Sequence, residues 1–292
     1  RRGGWRVFLG MVVVVACWLL GTAAVIALPM AADVLGGATR GEALAALRDR
    51  LSGGGPASVA LMLATFWGIW AGLGMALPLL HGRRFATLLS AEGRARPREF
   101  WRGLALAAAV YVLSMALAVA AGGLPERSAL PFGIWFVWLA PLCLLVFVQA
   151  SAEELLFRGY LFQELGRRLR HPIAWAVIPS TIFGALHYNP ALPGATGLLY
   201  VAVTFTFGLA AALLVARTGG VSAAMGLHTG MNVFGLTVVG MEGTISGSQL
   251  FLYAKAEAEA LFYADLALTV GLLAYLLSPW SAFPRRPGEA PG

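Results

Sequence analysis

The sequence predicts an all-α, polytopic membrane protein with about eight transmembrane helices, and three observations carry that prediction. Of its 292 residues, 59% are hydrophobic and 12% charged, with a mean hydropathy of +0.77. That is more apolar surface than a soluble domain of this length can bury. Several runs reach the roughly 20 apolar residues that a spanning helix needs. The 21 basic residues also fall unevenly over the segments between those runs.

Spans are predicted at 7–30, 57–80, 103–123, 132–152, 173–190, 198–217, 221–240 and 258–278. The first, Val7 to Met30, is too long for the apolar region of a cleavable signal and reads as a span. Between the first two, Glu42 to Leu51 form an amphipathic stretch suited to the outer surface, and Gly53-Gly54-Gly55 read as a linker turn. Residues 158–171 alternate Arg158, Gln163, Glu164, Arg167, Arg168 and Arg170 with Leu161, Phe162, Leu165 and Leu169, a pattern suited to a helix on the membrane surface. Cys17 and Cys143 lie inside apolar runs, so no disulfide framework is expected. The chain reads as one integral membrane domain, 1–292, with spans four to seven (132–240) as its core and a disordered tail, 284–292.

Charge sets the sidedness. With the N-terminus inside, 16 of the 21 basic residues are cytoplasmic: Arg1, Arg2 and Arg6, those in 83–102 and 158–170, Arg217, Arg285 and Arg286. Arg40, Arg48, Arg50, Arg127 and Lys255 fall on the other side. An odd number of spans scrambles this bias, so both termini are expected in the cytoplasm. The net charge of +7 is therefore a topology signal, and no nucleic-acid partner is expected. The Arg-rich loop 83–102 would also attract anionic lipid heads.

Ionisable groups inside spans are costly and mark candidate sites. Three clusters qualify: Glu153-Glu154-Leu155-Leu156-Phe157-Arg158, Phe183-Gly184-Ala185-Leu186-His187, and His228-Thr229-Gly230-Met231-Asn232. Glu154 and Arg158, four apart, share a helix face and can pair, which leaves Glu153 about 100° around the helix and free for another cavity. His228 and Asn232 are also four apart, and Phe183 stands one turn from His187. From the turn at Arg170-His171-Pro172, Glu153 and His187 lie at matching depth, roughly 25 Å. His228 is roughly 12 Å past Gly219-Gly220, so the three converge only if the first hairpin extends beyond the second. His81 and His171, at loop ends, read as surface residues, and Asp265 reads as a structural partner.

Glu-Glu-x-x-x-Arg, then Phe-x-x-x-His, then His-x-x-x-Asn on successive spans resembles the CPBP family: the type II CAAX prenyl endopeptidases, or Ras-converting enzymes, and relatives linked to bacteriocin self-immunity. The resemblance covers residues 153–232 without a departure at any motif position. It implies a helical intramembrane protease with a catalytic cavity between spans four and seven. By that resemblance Glu153 is the catalytic carboxylate, and His187 beside it helps to activate a water. His228 and Asn232 bind the substrate carbonyl and stabilise the oxyanion, with Glu154, Arg158 and Phe183 in support.

Amide hydrolysis needs a nucleophile, a proton acceptor and oxyanion donors. No Ser–His–Asp set appears in the spans, so water is the expected nucleophile and no cofactor is required. The alternative is zinc on Glu153, His187 and His228, although His-Glu-x-x-His is absent. Two other classes stay open: a proton-coupled transporter, which uses the same residue types, and a non-catalytic membrane immunity protein. The Gly-, Ala- and Arg-rich composition points to a bacterial inner membrane. The expected substrate is a membrane-anchored or lipidated peptide or a C-terminal tail.

Overall fold

The computed structural model describes residues 3–52, 54–120, 123–169, 171–192 and 194–283. Arg1, Arg2, Gly53, Arg170 and the tail from Pro284, all used above, lie outside the described residues.

Helix α1 (Trp5–Leu35) is followed by α2 (Arg40–Ser52), α3 (Pro56–His81) and α4 (Pro97–Ala120). Then come α5 (Phe132–Gly166), α6 (Ile173–Ala185), α7 (Thr196–Thr218), α8 (Ser222–Val233) and α9 (Lys255–Leu277). Three short strands, β1 (Glu126–Arg127), β2 (Val239–Met241) and β3 (Phe251–Tyr253), join in the order β1-β3-β2 at one end of the helices. The fold is thus an all-α polytopic membrane fold carrying one small sheet.

Six helices among the described residues are long and apolar enough to cross a bilayer: α1, α3, α4, α5, α7 and α9. The other two predicted spans, 173–190 and 221–240, are shorter as helices than the sequence suggests. Helix α6 stops at Ala185 and is about 20 Å long, short of the ~30 Å apolar core. Helix α8 runs 12 residues, continues through a π-turn at Phe234–Val238 and then becomes strand β2. Hydropathy cannot register the end of α8, because residues 234–241 remain apolar.

The membrane-surface helix expected at 158–171 is also corrected. Helix α5 runs unbroken for 35 residues, about 50 Å, through a π-turn at Leu155–Leu161 in which every residue is buried. The loop after α3 covers this extension, with the Gln163 amide donating to the carbonyls of Thr87 and Leu88. The extra length is what convergence of the three motifs requires. As expected from the charge pattern, several basic segments meet at one end. There Arg83 pairs with Glu164, Arg96 donates to the Thr218 carbonyl and Arg217 to that of Phe283. Helix α2, the sheet and residues 186–192 gather at the other end, where Asn189 donates to the Gly243 carbonyl. Both cysteines are free thiols.

Candidate active site

The site is assembled on α5. Glu154 is fully buried, and its Oε1 accepts from Arg158 Nη1 at 2.9 Å, the i,i+4 pair read from the sequence. The same oxygen accepts from His228 Nδ1 at 2.8 Å. The other ring nitrogen, Nε2, faces Glu153 Oε2 at 3.5 Å, too long for a good hydrogen bond. His228 therefore bridges the two carboxylates from α8. The set Glu153, Glu154, Arg158 and His228 thus holds two carboxylates against one guanidinium.

Phe183 holds the centre. Its ring lies 4.5 Å from that of His187, 5.8 Å and edge-on from that of His228, and 4.5 Å beneath the Arg158 guanidinium. A cation over an aromatic face is attracted by the ring quadrupole, so Phe183 fixes Arg158 as well as the two imidazoles. Helix α7 comes close behind: a Cβ on Gly208 would crowd Ser180 Oγ and Arg158 Nη2, at 3.0 and 3.1 Å. Phe207 of α7 closes the far side of His228, ring centroids 5.1 Å apart.

His187 sits two residues past the end of α6. Its Nδ1 lies 2.8 Å from the Phe183 carbonyl, one of the oxygens that a helix end leaves open. A carbonyl only accepts, so Nδ1 carries the hydrogen and a neutral His187 presents its Nε2 lone pair. Among the described residues no hydrogen bond or ion pair joins His187 to Glu153; Phe183 contacts His187 and the neighbouring His228. Asn232 donates through Nδ2 to Gln149 Oε1 at 2.8 Å. His228 and Asn232, one turn apart, thus engage different partners: two carboxylates and an amide.

Several buried polar atoms here have no hydrogen-bond partner among the described residues: Glu153 Oε2, Glu154 Oε2, Arg158 Nη2, Ser151 Oγ, Ser180 Oγ and Thr229 Oγ1. Such atoms are uncommon in folded proteins, and here they gather around the two glutamates. No group of three His, Cys, Asp or Glu among the described residues is placed to hold a metal.

Two neighbours escaped the sequence reading. Gln149 is buried one turn before Glu153, and its signal was a polar side chain within the run Val146-Phe147-Val148. Tyr200 stands edge-on to His187, ring centroids 6.0 Å apart. A third residue, His81, was read as exposed and is in fact buried at 2% exposure, 2.9 Å from the Tyr160 hydroxyl and 3.6 Å from Glu164. The reason is tertiary: the end of α3 tucks beneath the buried extension of α5. His171 is exposed, as expected.

Comparison with known proteins agrees with the motifs. Residues 133–234 match the family model described as Rce1-like, type II CAAX prenyl endopeptidase, and that stretch contains all three motifs. The chain is also 26% identical over 219 residues to the uncharacterised protein YyaK of Bacillus subtilis (strain 168), covering 73% of this chain and 70% of the relative. No solved structure matches.

Proposed function

Starting from the Rce1-like match at residues 133–234, we propose that the chain is an intramembrane endopeptidase. It would hydrolyse a peptide bond of a membrane-anchored or lipidated substrate, near a C-terminal tail. The observation that carries this reading is Glu153 Oε2: buried, without a hydrogen-bond partner, and beside an imidazole in a cluster of two carboxylates against one guanidinium. In this mechanism Glu153 takes a proton from water as the water oxygen attacks the scissile carbonyl carbon. His187, with its Nε2 lone pair outward, holds that water in line. Asn232 keeps one amide hydrogen after donating to Gln149 and directs it to the carbonyl oxygen as charge develops there. The proton then passes from Glu153 to the leaving amine as the C–N bond breaks, which restores the carboxylate. Glu154 and Arg158 hold His228 and keep the cluster's charge fixed.

The test is cleavage of a library of candidate tail peptides by purified protein in nanodiscs, with Glu153→Gln as control. Cleavage by wild type and none by the variant supports the reading. One equivalent of zinc, with activity lost on chelation and restored by zinc, would replace this mechanism with a zinc one. We place the protein in a bacterial inner membrane, with the Arg-rich end and both termini cytoplasmic. Ala91→Cys should then label only from the cytoplasm and Glu126→Cys only from outside; labelling of both from one side would sink this topology.

A further inference from the structure

Helices α5 and α8 meet in one antiparallel seam. Along it Trp135 Nε1 donates to the Thr237 carbonyl, Asn232 Nδ2 to Gln149 Oε1 and His228 Nδ1 to Glu154 Oε1. Positions on α5 rise along these rungs as those on α8 and its π-turn fall, so the register is fixed on both sides of Gln149. Gln149 and Glu153, four apart, share a face of α5, as His228 and Asn232 share one of α8. The helix that carries the proton acceptor of the proposed reaction thus also carries the support of its oxyanion donor.

The middle rung is the one that reaches Asn232. That side chain is half-buried in the last turn of α8, and Gln149 is its one hydrogen-bond partner among the described residues. Gln149 itself is only 6% exposed. An amide has a donor end and an acceptor end of nearly equal size, and half a turn exchanges them. With its carbonyl outward Asn232 would repel a developing oxyanion; with its NH2 group outward it stabilises one. Gln149 Oε1 can only accept, so it draws the NH2 group of Asn232 toward the α5 face that Glu153 shares. The second hydrogen of that nitrogen is left for the substrate. Oxyanion donors work by being aimed before charge develops, and hydrogen bonds from behind hold such side chains in place.

We propose that Gln149 is a positioning residue, whose side-chain oxygen holds the Asn232 amide with its NH2 group available to the oxyanion of the tetrahedral intermediate. The proposal rests on the endopeptidase reading and leaves the roles of His228 and Asn232 in it unchanged. Gln149 touches no reacting atom; no bond to it forms or breaks.

Gln149→Leu removes the acceptor and leaves an apolar side chain suited to a buried place. Gln149→Met, unbranched like glutamine, repeats the test with a shape closer to the native one. The probes are a quenched-fluorescent peptide library in nanodiscs and the phosphinate analogue of its best-cleaved member, which imitates the tetrahedral intermediate. Each variant is expected to lower kcat by about 10-fold, less than the 10²–10³-fold that a whole oxyanion donor is worth, with KM within about twofold. Phosphinate affinity should fall in parallel. The deciding measurement is a cycle with Asn232→Ala, read in single turnover on folded protein. Because Gln149 acts through Asn232, its replacement should change the rate of the Asn232→Ala enzyme by less than about twofold. An undiminished loss on that background overturns the assignment, since Gln149 would then act by another route. A change in KM alone overturns it as well, and reveals a direct contact with substrate. So does wild-type kcat in the folded fraction, with or without a lowered unfolding temperature, which leaves an interhelical hydrogen bond of structure only. These three outcomes keep the peptidase reading intact. A wild type that neither cleaves the library nor binds its phosphinates overturns the peptidase reading, and the role of Gln149 with it.

Discussion

Helix α5 carries two buried clusters built from the same residue types, and they sit little more than two turns apart. In the first, Glu153 and Glu154 meet Arg158 and His228. In the second, Glu164 meets Arg83, Arg167 and Arg168 at 2.7, 3.1 and 2.8 Å, with His81 at 3.6 Å. Both Glu164 oxygens are taken, and cations outnumber the single carboxylate. The first cluster has the opposite balance, two carboxylates to one guanidinium, and leaves three of those groups with an unpartnered atom. Burial and charge alone therefore do not distinguish the two clusters; uncommitted atoms and the balance of charge do. In the proposed reading the first cluster accepts a proton, whereas the second pins the loop after α3 onto the α5 extension.

The largest effect should separate the clusters in activity. Glu153→Gln removes the proton acceptor while keeping size, and general-base catalysis is typically worth 10²–10⁴-fold. Cleavage should fall by at least about 10²-fold without a lowered unfolding temperature, because the variant keeps the side chain's size. Asn232→Ala should follow with a loss on the order of 10²-fold in kcat. Single-turnover assays on folded protein measure both. If Glu153→Gln retains more than a tenth of the activity, the contrast between the clusters fails.

Glu164→Gln should do the reverse. Removing the carboxylate leaves three guanidinium groups uncompensated, and breaking a buried ion pair typically costs about 3–5 kcal/mol. Arg167 is half-exposed and keeps its water, so the lower end, about 3 kcal/mol, is expected. Chemical or thermal unfolding in detergent reads this loss, while kcat of the folded fraction stays at wild type. A Glu164→Gln protein of normal stability and low kcat would place the second cluster in the chemistry.

Much of the first cluster was legible in the sequence, because its contacts are local. The i,i+4 spacing of Glu154 and Arg158, and the one-turn spacing of Phe183 and His187, give contacts that any helix would make. The bridging of both glutamates by His228 was not legible, since it depends on how α8 approaches α5 across 74 residues of chain. Tyr200 carried no signal, as tyrosine near a span end is ordinary membrane-interface composition. The end of α8 was lost for another reason: hydropathy reports what a lipid tolerates, whereas this helix stops where backbone partners change. His81 was misplaced because its burial depends on Gly10 and Tyr160, residues that only the tertiary fold brings to it.

That last dependence yields the smallest predicted effect. The Tyr160 hydroxyl lies 2.9 Å from His81 Nε2 and 3.4 Å from the Val7 carbonyl, and it occupies the space that a side chain on Gly10 would need. A Cβ added at Gly10 would collide with that hydroxyl, and the Tyr160 ring has little room to yield because it is fully buried. Gly10→Ala should therefore destabilise the protein by about 1–3 kcal/mol, the usual range for overpacking. Tyr160→Phe, which removes the oxygen, should itself cost the His81 hydrogen bond, about 1 kcal/mol. The collision and the bond share one atom, so the two changes must not add. The double variant should be more stable than the sum of the singles by at least about 0.5 kcal/mol, a coupling expected for residues in contact. Unfolding midpoints of the four proteins close this cycle. Strict additivity would mean that α1 packs on α5 without the Tyr160 hydroxyl, and that the second cluster ends at Glu164.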